Sequence, residues 1–195
     1  MVREAVVVGN SGLVDWHGYI DQDRAAHLAS YAQHARLVFG PRAGFRDHSG
    51  KTHPGGQPGP LEALLGCRMM NFDAMPPLVS TPVEGHTVEI WAESYRPTTG
   101  ERVMTYGNGP LSGTAAVVRA GNCLTIGAWS RSLVEQLLAT ELRSIGIEPV
   151  PLPDGVRRVS LDDRIIWLNF SETQQRTPDG FALDAVSWRI QSRKE

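Results

Sequence analysis

Apolar positions along the chain follow two periodicities, and each predicts its own kind of element. Ala5-Val6-Val7-Val8 is a short, continuous β-branched run closed by Gly9-Asn10. Such a run predicts a strand covered on both faces, the kind found in parallel sheets. From Asp21 to His34 the spacing changes. Ala25, Leu28, Ala29 and Ala32 recur at i, i+3, i+4 and i+7, which predicts a helix with one apolar stripe. Asp21 and Asp23 stand at the end where the helix dipole is positive, and His34 at the other. Arg36-Leu37-Val38-Phe39 is a second apolar run. Strand, helix, strand in this order predicts a βαβ unit with a right-handed crossover, hence a parallel sheet.

Gly40 to Gln57, rich in Gly, Pro and His, reads as a long loop. Pro58 opens a short helix through Leu65, since proline is tolerated in a first turn, and Gly66 stops it. Arg68 to Phe72 is a further strand candidate, and Pro76-Pro77 breaks the pattern. Extended segments are expected at Thr87 to Ala92, Glu101 to Tyr106, Ala115 to Arg119 and Cys123 to Ile126, the last two joined by a hairpin at Ala120-Gly121-Asn122. A second helix starts at Ser130 or Ser132, and Ser132 with Glu135 fits a capping box. Leu133, Val134, Leu137, Leu138, Leu142 and Ile145 form its wide apolar face, ended by Gly146. Pro149, Pro151, Pro153 and Asp154-Gly155 then mark a boundary. Domains are expected at 1–150 and 151–195. The second holds short runs at Val156 to Leu161, Arg164 to Phe170 and Ala185 to Ile190, a small antiparallel β domain.

Composition adds exclusions. The 195 residues are 41% hydrophobic and 21% charged, enough for a packed core, and suit one domain with a small appendix. A net charge of -2 gives no electrostatic footprint for nucleic acid or an anionic membrane. No apolar run approaches the roughly 20 residues that cross a bilayer, and the run after Met1 is too short for a signal peptide. Cys67 and Cys123 form no C-x-x-C, read as small buried hydrophobes, and favour a cytoplasmic setting.

Candidate chemistry is sparse. A Ser or Cys hydrolase on an α/β sheet lifts its nucleophile on a sharp turn after a strand, where backbone N–H groups can hold an oxyanion. The turn after the second strand, Gly40-Pro41-Arg42-Ala43-Gly44, offers no Ser, Cys or Thr. Cys67 sits at a helix C-terminus, which disfavours a thiolate. None of the six histidines has Glu two residues on, and His86 and Glu89, three apart on an expected strand, face opposite ways. His48 and His53 beside Asp47 and Lys51 read as a solvated loop rather than a metal site. Gly9-Asn10-Ser11-Gly12 lacks the phosphate-loop patterns and reads as a turn. Glu89 and Glu93, on one extended segment, would lie about 13 Å apart by strand rise, too far for a retaining glycosidase pair, and each is expected to be ion-paired or solvated. No catalytic, cofactor-binding or metal-binding residue is assigned, and no cofactor.

A series of short stretches nevertheless resembles one family. Leu37-Val38-Phe39-Gly40-Pro41-Arg42-Ala43-Gly44-Phe45-Arg46-Asp47, Pro58-Gly59-Pro60-Leu61, Leu64-Leu65-Gly66 and Phe72-Asp73 are similar in order and spacing to stretches of bacterial β-galactosidases of glycoside hydrolase family 42. The series continues through Trp91-Ala92-Glu93, Gly113 with Ala115-Ala116, Ile126-Gly127, Gly146-Ile147-Glu148-Pro149 and Pro153-Asp154-Gly155-Val156, and Leu168-Asn169-Phe170 resembles a strand of the family's small C-terminal domain.

The resemblance implies a flavodoxin-like fold of the class I glutamine-amidotransferase type, a parallel sheet flanked by helices, over 1–150, with a small antiparallel β domain after it. In the family this fold serves trimerisation, and the catalytic glutamates sit on a preceding (β/α)8 barrel of about 250 residues or more, which this length cannot also hold. It further implies that Ala5 to Val8 matches the strand before the helix, with a first parallel strand not included. The expected function is therefore a non-catalytic assembly region, self-associating as a homotrimer beside a catalytic barrel, with no nucleic-acid or membrane partner. Two other readings stay open: a small amidotransferase-superfamily hydrolase with an unrecognised site, which a reactive Cys67 or Cys123 would favour, and a carbohydrate-binding module using Trp16, Trp91 and Trp129.

Overall fold

A computed structural model describes residues 5–8 and 20–192; the turn expected at Gly9 to Gly12 and the candidate Trp16 lie outside them. By contacts the chain divides into two units, Met1–Ile147 and Glu148–Glu195.

The first unit is built on one mixed sheet. Strand β1 (Ala5–Val8) pairs in parallel with β2 (Arg36–Phe39) across α1 (Gln22–Tyr31). Asp21 caps α1 by accepting from the Arg24 N–H at 2.8 Å, so the helix starts where the acidic residues predict. It stops three residues short of His34, because the chain must turn to enter β2. The chain then passes through a 3-10 turn at Gly59–Leu61 into the one-turn helix α2 (Glu62–Leu65). Gly66 ends α2 in the left-handed conformation (φ 61°), and a Cβ there would meet the Gly100 nitrogen at 2.6 Å.

The remaining strands of this unit are β3 (Cys67–Ala74), β4 (Thr81–Val83), β5 (His86–Val88), β6 (Trp91–Pro97), β7 (Glu101–Thr105), β8 (Ala115–Ala120) and β9 (Cys123–Ile126). The sheet order is β1-β2-β9-β8-β6-β3, with β7 also on β8, and β4 and β5 form a separate two-stranded pair. Only β1, β2 and β9 run parallel; β8, β6, β7 and β3 join antiparallel. This corrects the expected parallel sheet. A parallel neighbour needs a crossover of a dozen or more residues, usually a helix. Between α2 and β9 the described chain forms no helix, and short turns such as Gly121-Asn122 return it antiparallel.

Both faces of the central strands are covered. Leu37 and Phe39 of β2 pack with Ile20, Leu61, Leu65 and Cys67, while Val38 points to the other layer with Leu124, Ile126 and Leu133. That alternation explains the unbroken apolar runs. The second layer is closed by α3 (Arg131–Ser144), through Leu133 and Leu137, and by Val83 and Val88 of the β4–β5 pair. The cap of α3 is Ser130, not Ser132 with Glu135. The Ser132 hydroxyl is held by His86 Nδ1 at 2.9 Å, and Glu135 pairs with Arg131 one turn before it. Glu141, on the buried face of α3, ion-pairs with Arg119 of β8.

The second unit carries an antiparallel sheet of β10 (Val156–Leu161), β11 (Arg164–Asn169) and β14 (Ser187–Ser192), and a small pair of β12 (Gln175–Arg176) with β13 (Ala182–Leu183). Ile165 and Trp167 point into a core with Val156 and Leu183. Asn169 ties the loop after β11: its Nδ2 donates to the Thr173 and Asp184 carbonyls at 2.9 and 2.7 Å, and its Oδ1 accepts from the Ser171 N–H at 3.0 Å. The residue in the Leu168-Asn169-Phe170 motif thus holds structure.

Gly127, just after β9, has no room for a side chain: a Cβ would lie 2.5 Å from both the Glu93 carbonyl oxygen and the Tyr95 ring. Gly127→Ala should cost about 1–3 kcal/mol by forcing strands apart. Urea unfolding monitored by circular dichroism measures it, and an unchanged midpoint would contradict the packing.

Candidate functional site

Strand alternation puts Trp91, Glu93 and Tyr95 of β6 on one face. Glu93 is only 2% exposed there. Its Oε1 accepts from the Trp91 Nε1–H at 2.7 Å and its Oε2 from the Tyr95 hydroxyl at 2.5 Å. The third donor comes from the turn after β2: the Arg42 backbone N–H reaches Oε1 at 2.8 Å. The main chain of Glu93 is held as well, with its N–H on the Gly127 carbonyl at 2.6 Å and its carbonyl taking the Tyr106 hydroxyl at 2.9 Å. One carboxyl group therefore joins β6 to the turn beyond β2.

Burial pushes the Glu93 carboxyl above the usual glutamate range; the bonds from Tyr95, Trp91 and Arg42, and the Arg42 charge, oppose that shift without cancelling it. The Tyr95 hydroxyl is raised by its own burial and by Glu93. The expectation that Glu93 would be ion-paired or solvated is corrected. Glu93 is buried and hydrogen-bonded, and Glu89, beyond the end of β5, shares no strand with it because Ile90 turns the chain at φ 69°. A positive φ on a β-branched residue is strained.

The turn at Gly40 to Gly44 is sharp, with Arg42 at the left-handed position (φ 68°), but no helix follows it directly, as a nucleophile elbow would require. The Arg42 side chain lies over the aromatic cluster above Glu93. Its guanidinium carbon is 5.3 Å from the Trp91 ring centroid and 5.6 Å from that of Phe45. Phe72 of β3 stacks on Trp91 at 4.8 Å, and Phe45 meets both edge-on. Beside this cluster opens a cavity of about 190 Å³ lined by Pro41, Arg42, Ile90, Trp91 and Trp129.

The other candidates lie apart from this site or are occupied. Cys67 and Cys123 are free and buried. Burial, with Glu62 and Glu93 nearby, pushes the Cys67 thiol up to about 12, and burial pushes that of Cys123 up to about 11. His86 is bonded to Ser132 and to Gln136 Oε1 at 3.1 Å. The loop of His48 and His53 is more ordered than a solvated loop. Asp47 accepts from the Ser49 hydroxyl and the Ser49 and Lys51 N–H groups, which holds its carboxyl low, and His53 packs against Gly59, where a Cβ would lie 2.3 Å from its ring. No cluster of three or more His, Cys, Asp or Glu able to hold a metal occurs among the described residues.

Of the sequence candidates, the structure brings Trp91 and Trp129 to one cavity. Arg42 and Glu93, left unassigned from the sequence, prove to organise it. The signal available was Trp91-x-Glu93-x-Tyr95, a carboxylate between two aromatics on one strand face.

Comparison with known proteins places this arrangement. A family model described as the β-galactosidase trimerisation domain matches residues 16–148. The β-galactosidase Bga of Halorubrum lacusprofundi is 31% identical over 183 residues, covering 82% of this chain and 26% of its own length. BgaH of Haloferax lucentense is 32% identical over 145 residues, 69% of this chain and 22% of its own. Among solved structures, the polyextremophilic H. lacusprofundi β-galactosidase superposes with a TM-score of 0.81 at 28% identity, over 96% of this chain and 31% of that one. The enzyme from Bacillus circulans shares the fold, with a TM-score of 0.79 at 17% identity over 98% and 33%. The fold is that of a trimerisation domain, a mixed sheet with few helices. The chain belongs to the β-galactosidase trimerisation family of glycoside hydrolase family 42. It spans about a quarter of the length of the curated relatives it matches.

Two measurements check the site's electrostatics. The folded carboxyl of Glu93 holds its proton more tightly than the unfolded one. Unfolding therefore releases that proton between the two values, and the Glu93 contribution to stability falls as pH rises from about 4.3 through the folded value. Glu93→Gln should remove this loss, so the stability of the variant relative to wild type should rise with pH across that window in urea titrations; a difference independent of pH would contradict the shift. Both thiols should resist iodoacetamide at neutral pH in the native protein and react once it is unfolded, as read by mass spectrometry. Rapid native alkylation would contradict their burial.

Proposed function

We propose that this chain is the assembly region of a β-galactosidase, gathering three copies so that catalytic barrels are held in one particle. The match of residues 16–148 to a trimerisation family carries the reading. On it, residues 1–150 are the trimerisation domain, related to the class I glutamine-amidotransferase and flavodoxin-like folds through the β1-α1-β2 unit, and 151–195 are a small C-terminal β domain. Hydrolysis of terminal β-galactosides belongs to a (β/α)8 barrel of about 250 residues, a part beyond the quarter of the relatives' length spanned here. The chain's own contribution is binding and orientation, with no cofactor. The free, buried thiols and the absence among the described residues of a helix long and apolar enough to cross a membrane fit a cytoplasmic setting.

The amidotransferase-superfamily hydrolase loses support because both thiols are buried and held protonated. The turn at Gly40 to Gly44 carries an arginine that cannot serve as nucleophile.

Sedimentation equilibrium of the purified chain should give three times the mass of one copy, and the same sample should leave a chromogenic β-galactoside uncleaved. A strictly monomeric species at high micromolar concentration, or hydrolysis by the chain alone, would overturn this reading.

A further inference from the structure

The cavity at Arg42 carries features that the fold does not use. Its floor is fixed, because Glu93 ties both the Arg42 backbone and the Trp91 indole. Its rim is apolar and open: Ile90, Trp129 and Phe72 are each more than 40% exposed. Such apolar patches with Trp and Arg are the composition of interface hot spots. Among the described residues no carboxylate lies within salt-bridge distance of the Arg42 guanidinium, which stays exposed over its aromatic platform. Two residues from Trp91, the exposed Glu89 carboxylate likewise has no cation within that distance among the described residues. A knob stands beside this cavity. The Met75 N–H bonds the Ile90 carbonyl at 2.9 Å, which ties the start of the turn Pro76-Pro77-Leu78-Val79 to a residue of the cavity wall, and Leu78 stands in that turn at φ 71° with its side chain fully exposed.

Resting on the assembly reading, we infer that this face is a contact between copies, in which the Leu78 turn of one copy fills the Arg42–Trp129 cavity of the next and Glu89 of the first copy meets Arg42 of the second. Charge complementarity selects a second copy as occupant: one chain carries both an exposed Arg42 guanidinium and an exposed Glu89 carboxylate without a salt bridge, Arg42 lining the cavity and Glu89 next to Ile90 of its wall. Knob and cavity are different patches, so the contact is heterologous, and repetition around a rotation axis closes a ring. Their adjacency places that axis close to Leu78. A sugar fits less well, since a pyranose carries a rim of hydroxyls and only Arg42 among the lining residues brings side-chain hydrogen-bond donors beyond the indoles.

The test is a charge swap in the full chain, with folding checked by circular dichroism. Arg42→Glu and Glu89→Arg should each raise the concentration at half-dissociation about tenfold or more, and the Arg42→Glu/Glu89→Arg double variant should restore association, because every contact regains an opposite pair. Leu78→Asp should dissociate the assembly without changing the fold. A wild type that is monomeric overturns the assembly reading itself. A trimeric wild type left intact by all single changes overturns only this placement, as does a double variant no better than the singles. Saturable quenching of tryptophan fluorescence by galactose or lactose, lost in Trp129→Ala, would assign the cavity to a sugar and overturn it too.

Discussion

The buried carboxyl of Glu93 is the constraint around which the first unit is arranged. Its two oxygens receive Trp91, Tyr95 and the Arg42 backbone, and its main chain binds Gly127 and Tyr106. Burying a carboxyl is costly unless its hydrogen bonds are met, and here three donors meet them. The reward is positional. The sharp turn at Arg42, at positive φ, is held by a group that would lose one of its three donors if the turn relaxed. The exposed Arg42 stands at the tip of the turn after β2, and its backbone N–H is committed to Glu93.

The same arrangement converts a strand end into a surface. Arg42, Phe45, Phe72 and Trp91 form a stacked cluster that cannot collapse inward, since Glu93 and Tyr95 fill the space beneath. Rigid aromatic area with little conformational entropy left to lose suits association. The chain spans about a quarter of the length of its β-galactosidase relatives, and this fixed face is what the described residues hold rigid.

Much of the fold was legible because its signals are local. The apolar runs at Ala5 to Val8 and Leu37 to Phe39, the acidic start of the first helix at Asp21 and the Gly66 stop each announce themselves within a few residues. What stayed hidden depends on distant partners. Ser132 looks like a helix cap until His86, 46 positions earlier, takes its hydroxyl. The antiparallel half of the sheet follows from connection lengths that no strand states by itself. Glu93 reads as a surface carboxylate because its three donors come from both its own strand and a turn 51 residues away. The left-handed arginine carries no local mark at all, since glycine or asparagine would be the usual sign.

Hydrogen–deuterium exchange at low and high protein concentration tests the central claim, assembly through this face, most directly. The account predicts concentration-dependent protection of amides in the 76–80 turn and around 89–91 and 129–131, with the second unit unchanged. Protection confined to other surfaces, or exchange that does not depend on concentration in a sample that remains monomeric, would contradict it.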